Sequence, residues 1–203
     1  MRVQMAVGAA AIAVVLLTGC TPPPAEGDDT PAPSTEPTPI ETATAEPGNP
    51  EFAMPDECVE IITTETAADF AAAGLDLLGG PGGVYGENYF GDPTPEEQVG
   101  GITCVWGDEE VPASTVIVSV APITASTQSD VVSSLIASGL VESLVDGTLT
   151  YARIGDDVSA PAELHAIRAE SWISVIEAVG GEDRFQHATE LVDEVTGQVY
   201  VAR

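Results

Sequence analysis

Apolar positions change their period several times along the chain, and each change marks a boundary. Met5 to Leu17 is an unbroken apolar run preceded by one charge, Arg2. A membrane-spanning helix needs about 20 such residues, so this shorter run fits the apolar stretch of a secretory signal. From Thr21 to Pro50 the pattern lapses: nine Pro, six Thr and six acids surround one large apolar side chain, Ile40. Such a segment cannot bury enough surface to offset its ordering entropy, which predicts disorder. Its Pro density predicts an extended polyproline II tether reaching up to ~90 Å at ~3.1 Å per residue. Periodicity resumes at Glu51, and all ten aromatic residues lie beyond it. Residues 51–203 therefore read as a single folded domain.

Within that domain, Thr63 or Thr64 caps a helix running to about Ala73, with Ile62, Ala67, Phe70 and Ala71 on one side and Gly74 as its stop. A Gly-rich loop from Gly79 to about Glu97 carries Tyr85, Tyr89 and Phe90. Ile102 to Trp106 alternates as a short strand, with Ile102, Cys104 and Trp106 on one face. After a turn at Asp108-Glu109-Glu110 and Pro112, Thr115 to Ala121 is a β-branched strand. Ser129 or Asp130 caps a second helix with Val131, Val132, Leu135 and Ile136 on one face, and Gly139 ends it. Leu149 to Ile154 is a third strand. Leu164–Ala169 and Trp172–Val179 form a hairpin about Glu170-Ser171. Gly180-Gly181 breaks the chain before a third helix, about Glu182 to Val195, whose stripe is Phe185, Ala188, Leu191, Val192 and Val195. Gln198 to Ala202 is a short last strand. The order predicts an α+β fold, an antiparallel sheet of about five strands with about three helices packed on it.

The apolar run ends in Leu17-Thr18-Gly19-Cys20. An apolar residue, two small residues and a Cys resemble the processing site of bacterial lipoprotein signals. The resemblance implies a signal peptide over residues 1–19, cleavage before Cys20, and a diacylglyceryl thioether on its thiol, with residues 20–50 as lipidated Cys and linker. Acyl chains at ~0.8 kcal/mol per buried methylene make a lasting anchor when two are present. The expected location is the outer face of the cytoplasmic membrane.

Charge narrows the partners. The chain has 33 acids against five basic residues, all Arg, for a net charge of −28. Nucleic-acid affinity depends on basic residues on phosphates, and adsorption to anionic lipid needs the same sign, so both are excluded as charge-driven partners. The absence of Lys excludes Schiff-base chemistry and the P-loop Lys.

Apart from Cys20, the chain contains two cysteines, Cys58 and Cys104. In an oxidising compartment two thiols are ordinarily joined. Closing a loop of about 47 residues is worth ~4 kcal/mol in the chain-entropy model. The rival readings are a thiol catalyst or a metal pair, and neither Cys has a second Cys or a His at ligand spacing. Cys58, the stretch from Thr64 to Gly79 and Cys104-Val105-Trp106 together resemble a group of actinobacterial secreted lipoproteins of unknown function. That group is akin to extracytoplasmic sensor domains of some bacterial serine/threonine kinases. The resemblance covers most of residues 55–200 and implies the α+β fold and the disulfide, but no reaction. The long insert from Gly79 to Gly100 departs from its pattern.

Catalytic signatures are absent: no GxSxG, HExxH, EF-hand ladder, or GxGxxG between strand and helix. Asp146-Gly147-Thr148 reads as a turn rather than an aspartic-protease motif. His165 on a strand and His187 on a helix read as structural. The clusters Asp108-Glu109-Glu110, Asp156-Asp157 and Glu182-Asp183 lack the turn Gly of a calcium loop and read as solvated surface. No cofactor or metal is expected. Trp106 and Trp172 read as core, whereas a long aperiodic loop retaining rings is a frequent contact point. The candidate contact site is therefore Tyr85, Tyr89 and Phe90 at the sheet edge near Trp106, for a protein partner or an apolar small molecule. The expected function is a non-enzymatic binding or accessory module. The alternative is a small extracytoplasmic hydrolase in which a carboxylate pair acts on cell-wall glycan, one acid having a raised pKa in a cleft. Cys20→Ser is expected to release the protein from the membrane fraction or to leave an unprocessed precursor. Fractionation identical to wild type would refute the anchor.

Overall fold

The computed structural model describes residues 50–202. The signal peptide, Cys20 and all but the last residue of the linker lie outside the described residues. The elements, in chain order, are β1 (Glu51–Phe52), a 3-10 turn (Cys58–Glu60), α1 (Thr64–Ala72), β2 (Asp76–Gly79), α2 (Pro95–Gln98), β3 (Ile102–Asp108), β4 (Val111–Pro122), α3 (Ala125–Ala137), β5 (Val141–Val145), β6 (Thr148–Arg153), β7 (Ala162–Ile167), β8 (Ser171–Glu177), α4 (Glu182–Val199) and β9 (Tyr200–Val201). Seven strands form one antiparallel sheet in the order β2-β3-β4-β8-β7-β6-β5, and β1 pairs with β9 beside it. The fold is α+β, as its element order predicts.

Seven strands rather than about five make the sheet, because β2 and β5 each add an edge. Four helices rather than about three pack around it. Of these, α2 lies inside the stretch read as a loop, where Thr94 and Glu97 form a reciprocal capping box with Pro95 at the first helical position. α3 starts under Thr124, not Ser129 or Asp130. There the Thr124 hydroxyl accepts from the Thr127 backbone N–H and the Thr127 hydroxyl from that of Thr124. Asp146-Gly147 is a two-residue hairpin turn, with φ of 48° and 80°. Asp and Gly are the pair that tolerates positive φ at both positions.

Both sheet faces are covered. One carries Cys104, Trp106, Val116, Val118, Val120, Leu164, Ala166, Ile173 and Val175, buried under Phe70 of α1 and Ala188, Leu191, Val192 and Val195 of α4. The opposite face carries Ala121, Tyr151, Ile167 and Trp172 under Leu135 of α3, with Val131 and Val132 beside it. The helical stripe read for α4 is thus the stripe that packs. In α3, Ile136 turns outward at 53% exposure. Among the described residues no helix is long and apolar enough to cross a membrane.

Cys58 and Cys104 are disulfide-bonded, with Cα atoms 5.6 Å apart and both residues fully buried. The bond ties the segment before α1 to the middle of β3. Gly80 passes over it with φ +100°, where a Cβ would lie 2.7 Å from the Cys58 sulfur and 2.3 Å from the Thr103 carbonyl oxygen. Only glycine fits there. Replacing both cysteines by Ala is expected to cost about 4 kcal/mol of unfolding free energy in denaturant titration. A loss under about 1 kcal/mol would show that the loop contributes little to the chain entropy of the unfolded state.

Candidate functional site

The sheet is wider than its helices. Strands lie ~4.8 Å apart and a helix is ~10 Å across, so one helix roofs about two strands. α4 lies on β7 and β8, and α1 packs over Trp106 on β3. The same face of β6 and β5 is left without a helix. A groove of about 300 Å³ opens there, between the flank of α4 and the sheet. Ala152, Leu164, Ala166, Phe185 and Val192 line its apolar interior, and Ser143, Thr148, Thr189 and Thr196 supply hydroxyls.

Arg168, just after β7, reaches this groove. It is half-buried, and its Nε atom is buried with no hydrogen-bond partner. The other described arginines are paired: Arg153 Nη1 lies 3.0 Å from Glu163 and Arg184 Nη1 3.5 Å from Glu177. Arg168 makes no such pair among the described residues. Its guanidinium carbon sits 5.2 Å from the centre of the Tyr200 ring, a cation–π distance. The Tyr200 hydroxyl is held in turn by Ser171 at 2.7 Å. Asp146 and Asp193 also border the groove, and both are exposed.

Across the opposite face runs a row of polar residues that the register places side by side. Thr103 pairs with Ser119, Ser119 with Ser174, Ser174 with His165, His165 with Tyr151, and Tyr151 with Glu142. All but Glu142 are buried. Buried polar groups need partners, and here most of them find one. Thr103 bonds Ser119 at 3.0 Å and Thr94 at 2.7 Å, and the Tyr151 hydroxyl donates to Glu142 at 2.7 Å. The Ser174 hydroxyl donates to Glu96 of α2 at 2.6 Å.

The Trp172 indole N–H donates to His165 Nδ1 at 3.2 Å. Indole is only a donor, so the neutral His165 carries its proton on Nε2. That N–H has no partner among the described residues, and it borders a second cavity of about 380 Å³ between α2, α3 and the sheet. Glu96, Glu163, Trp172, Leu135 and Ile176 also line this cavity. Burial pushes the Glu96 carboxyl up, with the Ser174 hydrogen bond acting the other way. Burial lowers His165 from 6.5 to about 4. The two residues offer this cavity a carboxyl whose acid form is favoured and a neutral N–H donor.

The loop rings sit elsewhere. Tyr85, Tyr89 and Phe90 cluster on the surface, with ring centres 6.1 and 5.1 Å apart. Tyr89 rests on Gly79, whose register partner is Val105. Trp106, the next residue, points to the other face, where it is 4% exposed against Phe70. The structure brings the three rings together but not with Trp106. Trp172 is core, as read, but also positions His165. His187 bonds the buried Glu177; that hydrogen bond raises its pKa, opposed by partial burial.

Asp156 accepts from the backbone N–H groups of Val158 and Ser159, and those bonds hold its carboxyl below the ordinary range. Among the described residues no group of three or more His, Cys, Asp or Glu is placed to hold a metal ion. Arg168 and Glu96 were missed from sequence, although basic residues are so few here that each position is informative. No family model, curated protein or solved structure matches the chain.

His165 generates a pH dependence. The unfolded chain takes up a proton near pH 6.5, whereas the folded chain resists until about pH 4. Stability from this group is therefore complete above pH 6.5 and is lost as pH falls toward 4, by about 3 kcal/mol at 1.36 kcal/mol per unit. Glu96 has the opposite sign: its raised pKa favours folding below the ordinary carboxylate pKa. His165→Gln keeps an acceptor for Trp172 and is expected to flatten melting temperature against pH between 6.5 and 4. An unchanged slope in the variant would remove His165 as its source.

Proposed function

We propose that this chain is a lipid-anchored, non-enzymatic binding module on the outer face of the cytoplasmic membrane, and that it holds an apolar ligand in the groove between α4 and β5–β6. The observation that carries the reading is that groove: an apolar interior beside exposed strands, left open because no helix roofs β5 and β6. Its volume falls at the lower end for small-molecule sites. Leu17-Thr18-Gly19-Cys20 supports the anchor, and the Pro-rich linker supports a domain displayed away from the bilayer. The exposed trio Tyr85, Tyr89 and Phe90 is the proposed contact for a protein partner.

A second reading draws on a different observation. Glu96 and Glu163 line one cavity, and burial favours the acid form of Glu96, as a glycan hydrolase with a carboxylate pair requires. Against it, Arg153 already engages Glu163. Release of wall-glycan fragments that Glu96→Gln abolishes would favour this reading over the first.

The test of the binding module is occupancy. Full chain purified from membranes is expected to yield an apolar molecule on solvent extraction, beyond its own acyl groups, and to bind octanol. Thr189→Trp, which fills the groove from α4, is expected to abolish both while shifting the melting temperature by only a few degrees. Wild-type protein that extracts clean and binds no octanol would overturn the reading.

A further inference from the structure

We propose that the groove selects an amphiphile with a single alkyl chain and an oxyanion head, carboxylate or phosphate, and that Arg168 pairs with that head. This rests on reading the groove as the ligand site. The first argument is the unpaired charge. The chain has 33 acids against five Arg, so a partner for any cation is easily supplied. Yet Arg168 has none among the described residues, and its Nε–H is buried without an acceptor. A buried donor without a partner costs about 1–3 kcal/mol, so an orphan in a folded protein calls for an explanation. That Nε–H lies too deep for a ligand to touch, but it leaves the guanidinium without an internal partner, and the two outer nitrogens, which are not buried, present N–H groups to an oxyanion.

Pre-organisation is the second argument. Tyr200 stacks against the guanidinium, and Ser171 fixes the Tyr200 hydroxyl. The stacking holds the guanidinium in a hollow lined by Tyr200, Thr196 and Gly197, which adjoins the groove through Arg168 and Thr196, before any ligand arrives, which lowers the ordering cost of binding. The third is the neighbouring surface. Ala152, Leu164, Ala166, Phe185 and Val192 offer an alkyl chain an apolar bed, whereas a bare inorganic anion would leave them unused. Asp146 and Asp193 oppose an anion, but they are exposed and screened by water and salt. If they dominated instead, the groove would select a cation.

The test uses the full-length Cys20→Ser chain, so that no acyl group of its own competes, in titrations with octanoate, octyl phosphate, octanol and octylamine. At least one of the two anions is expected to bind about tenfold or more tighter than octanol, and the tighter one identifies the head. Octylamine is expected to bind weakest. Arg168→Met keeps an apolar stem and is expected to bring both anions down to the level of octanol while leaving octanol unchanged. Arg168→Lys, which keeps the charge but not the fork, is expected to retain part of the preference. If octanol binds as tightly as both anions, or octylamine binds tightest, the oxyanion proposal fails while the apolar-ligand reading stands. If none of the four binds, both fail. Should Arg168→Met also lose octanol, a Lys variant without anion preference would overturn the proposal.

Discussion

Strand β4 is the constraint on which the other elements depend. It pairs with β3 from Ile102↔Val120 to Asp108↔Val111 and with β8 from Val116↔Glu177 to Pro122↔Ser171. From Val118 to Ala121, where it is paired on both sides and roofed on both faces, its side chains have no route to water. Val116, Val118 and Val120 meet this on one face by packing under α1 and α4. On the other, Ser119 brings a hydroxyl to the same depth, and the register then decides what must satisfy it. Thr103 lies opposite on one side and Ser174 on the other. Thr103 bonds the Ser119 hydroxyl, and Ser174 bonds Glu96 of α2. An unpartnered hydroxyl in this row would cost about 1–3 kcal/mol, and α2, although only four residues long, supplies two partners to it, Glu96 to Ser174 and its cap Thr94 to Thr103.

The cavities have a shared geometric origin. Two helices on each face are too narrow for seven strands, so each face keeps an open corner. What the corner becomes depends on the side chains that the strands present there. On the α4 side they are small or apolar, with one cation. On the α3 side they are an indole, an imidazole, Ile176 and one carboxyl, Glu163, and α2 adds a second, Glu96. Both cavities set a few polar groups in a mainly apolar lining, and the same sheet floors both.

Charge organises the remainder. At a net charge of −28 the surface is self-repelling, and two of the three described arginines are spent on cross-links within the fold. Arg153 links Glu163 to the Ser138 carbonyl at the end of α3. Arg184 pairs with Glu177, a carboxylate almost wholly buried where β8 meets α4, and His187 hydrogen-bonds it. The acids at Asp108 and Asp156 hold turn backbone. Against that pattern, the freedom of Arg168 is the exception that the fold preserves.

Much of this architecture is legible in the sequence. The alternation of Cys104 and Trp106, the β-branched run of β4 and the stripe of α4 each specify an element and its buried face, because burial of one face imposes a period. The strands missed from the seven-stranded sheet, β2 and β5, are its two edges. Val141, Leu144 and Val145 are more than half exposed, so no buried face disciplines the pattern of β5. The capping box of α2, Thr94 to Glu97, was legible but masked by the surrounding glycines. Tertiary structure alone decided the sites. Thr103, Ser119, Ser174, His165 and Tyr151 belong to five strands and share a row only through register. Arg168 forms no ion pair among the described residues only because of where folding places their acids. Which charges meet is a property of distances across the sheet, and no local sequence period encodes them.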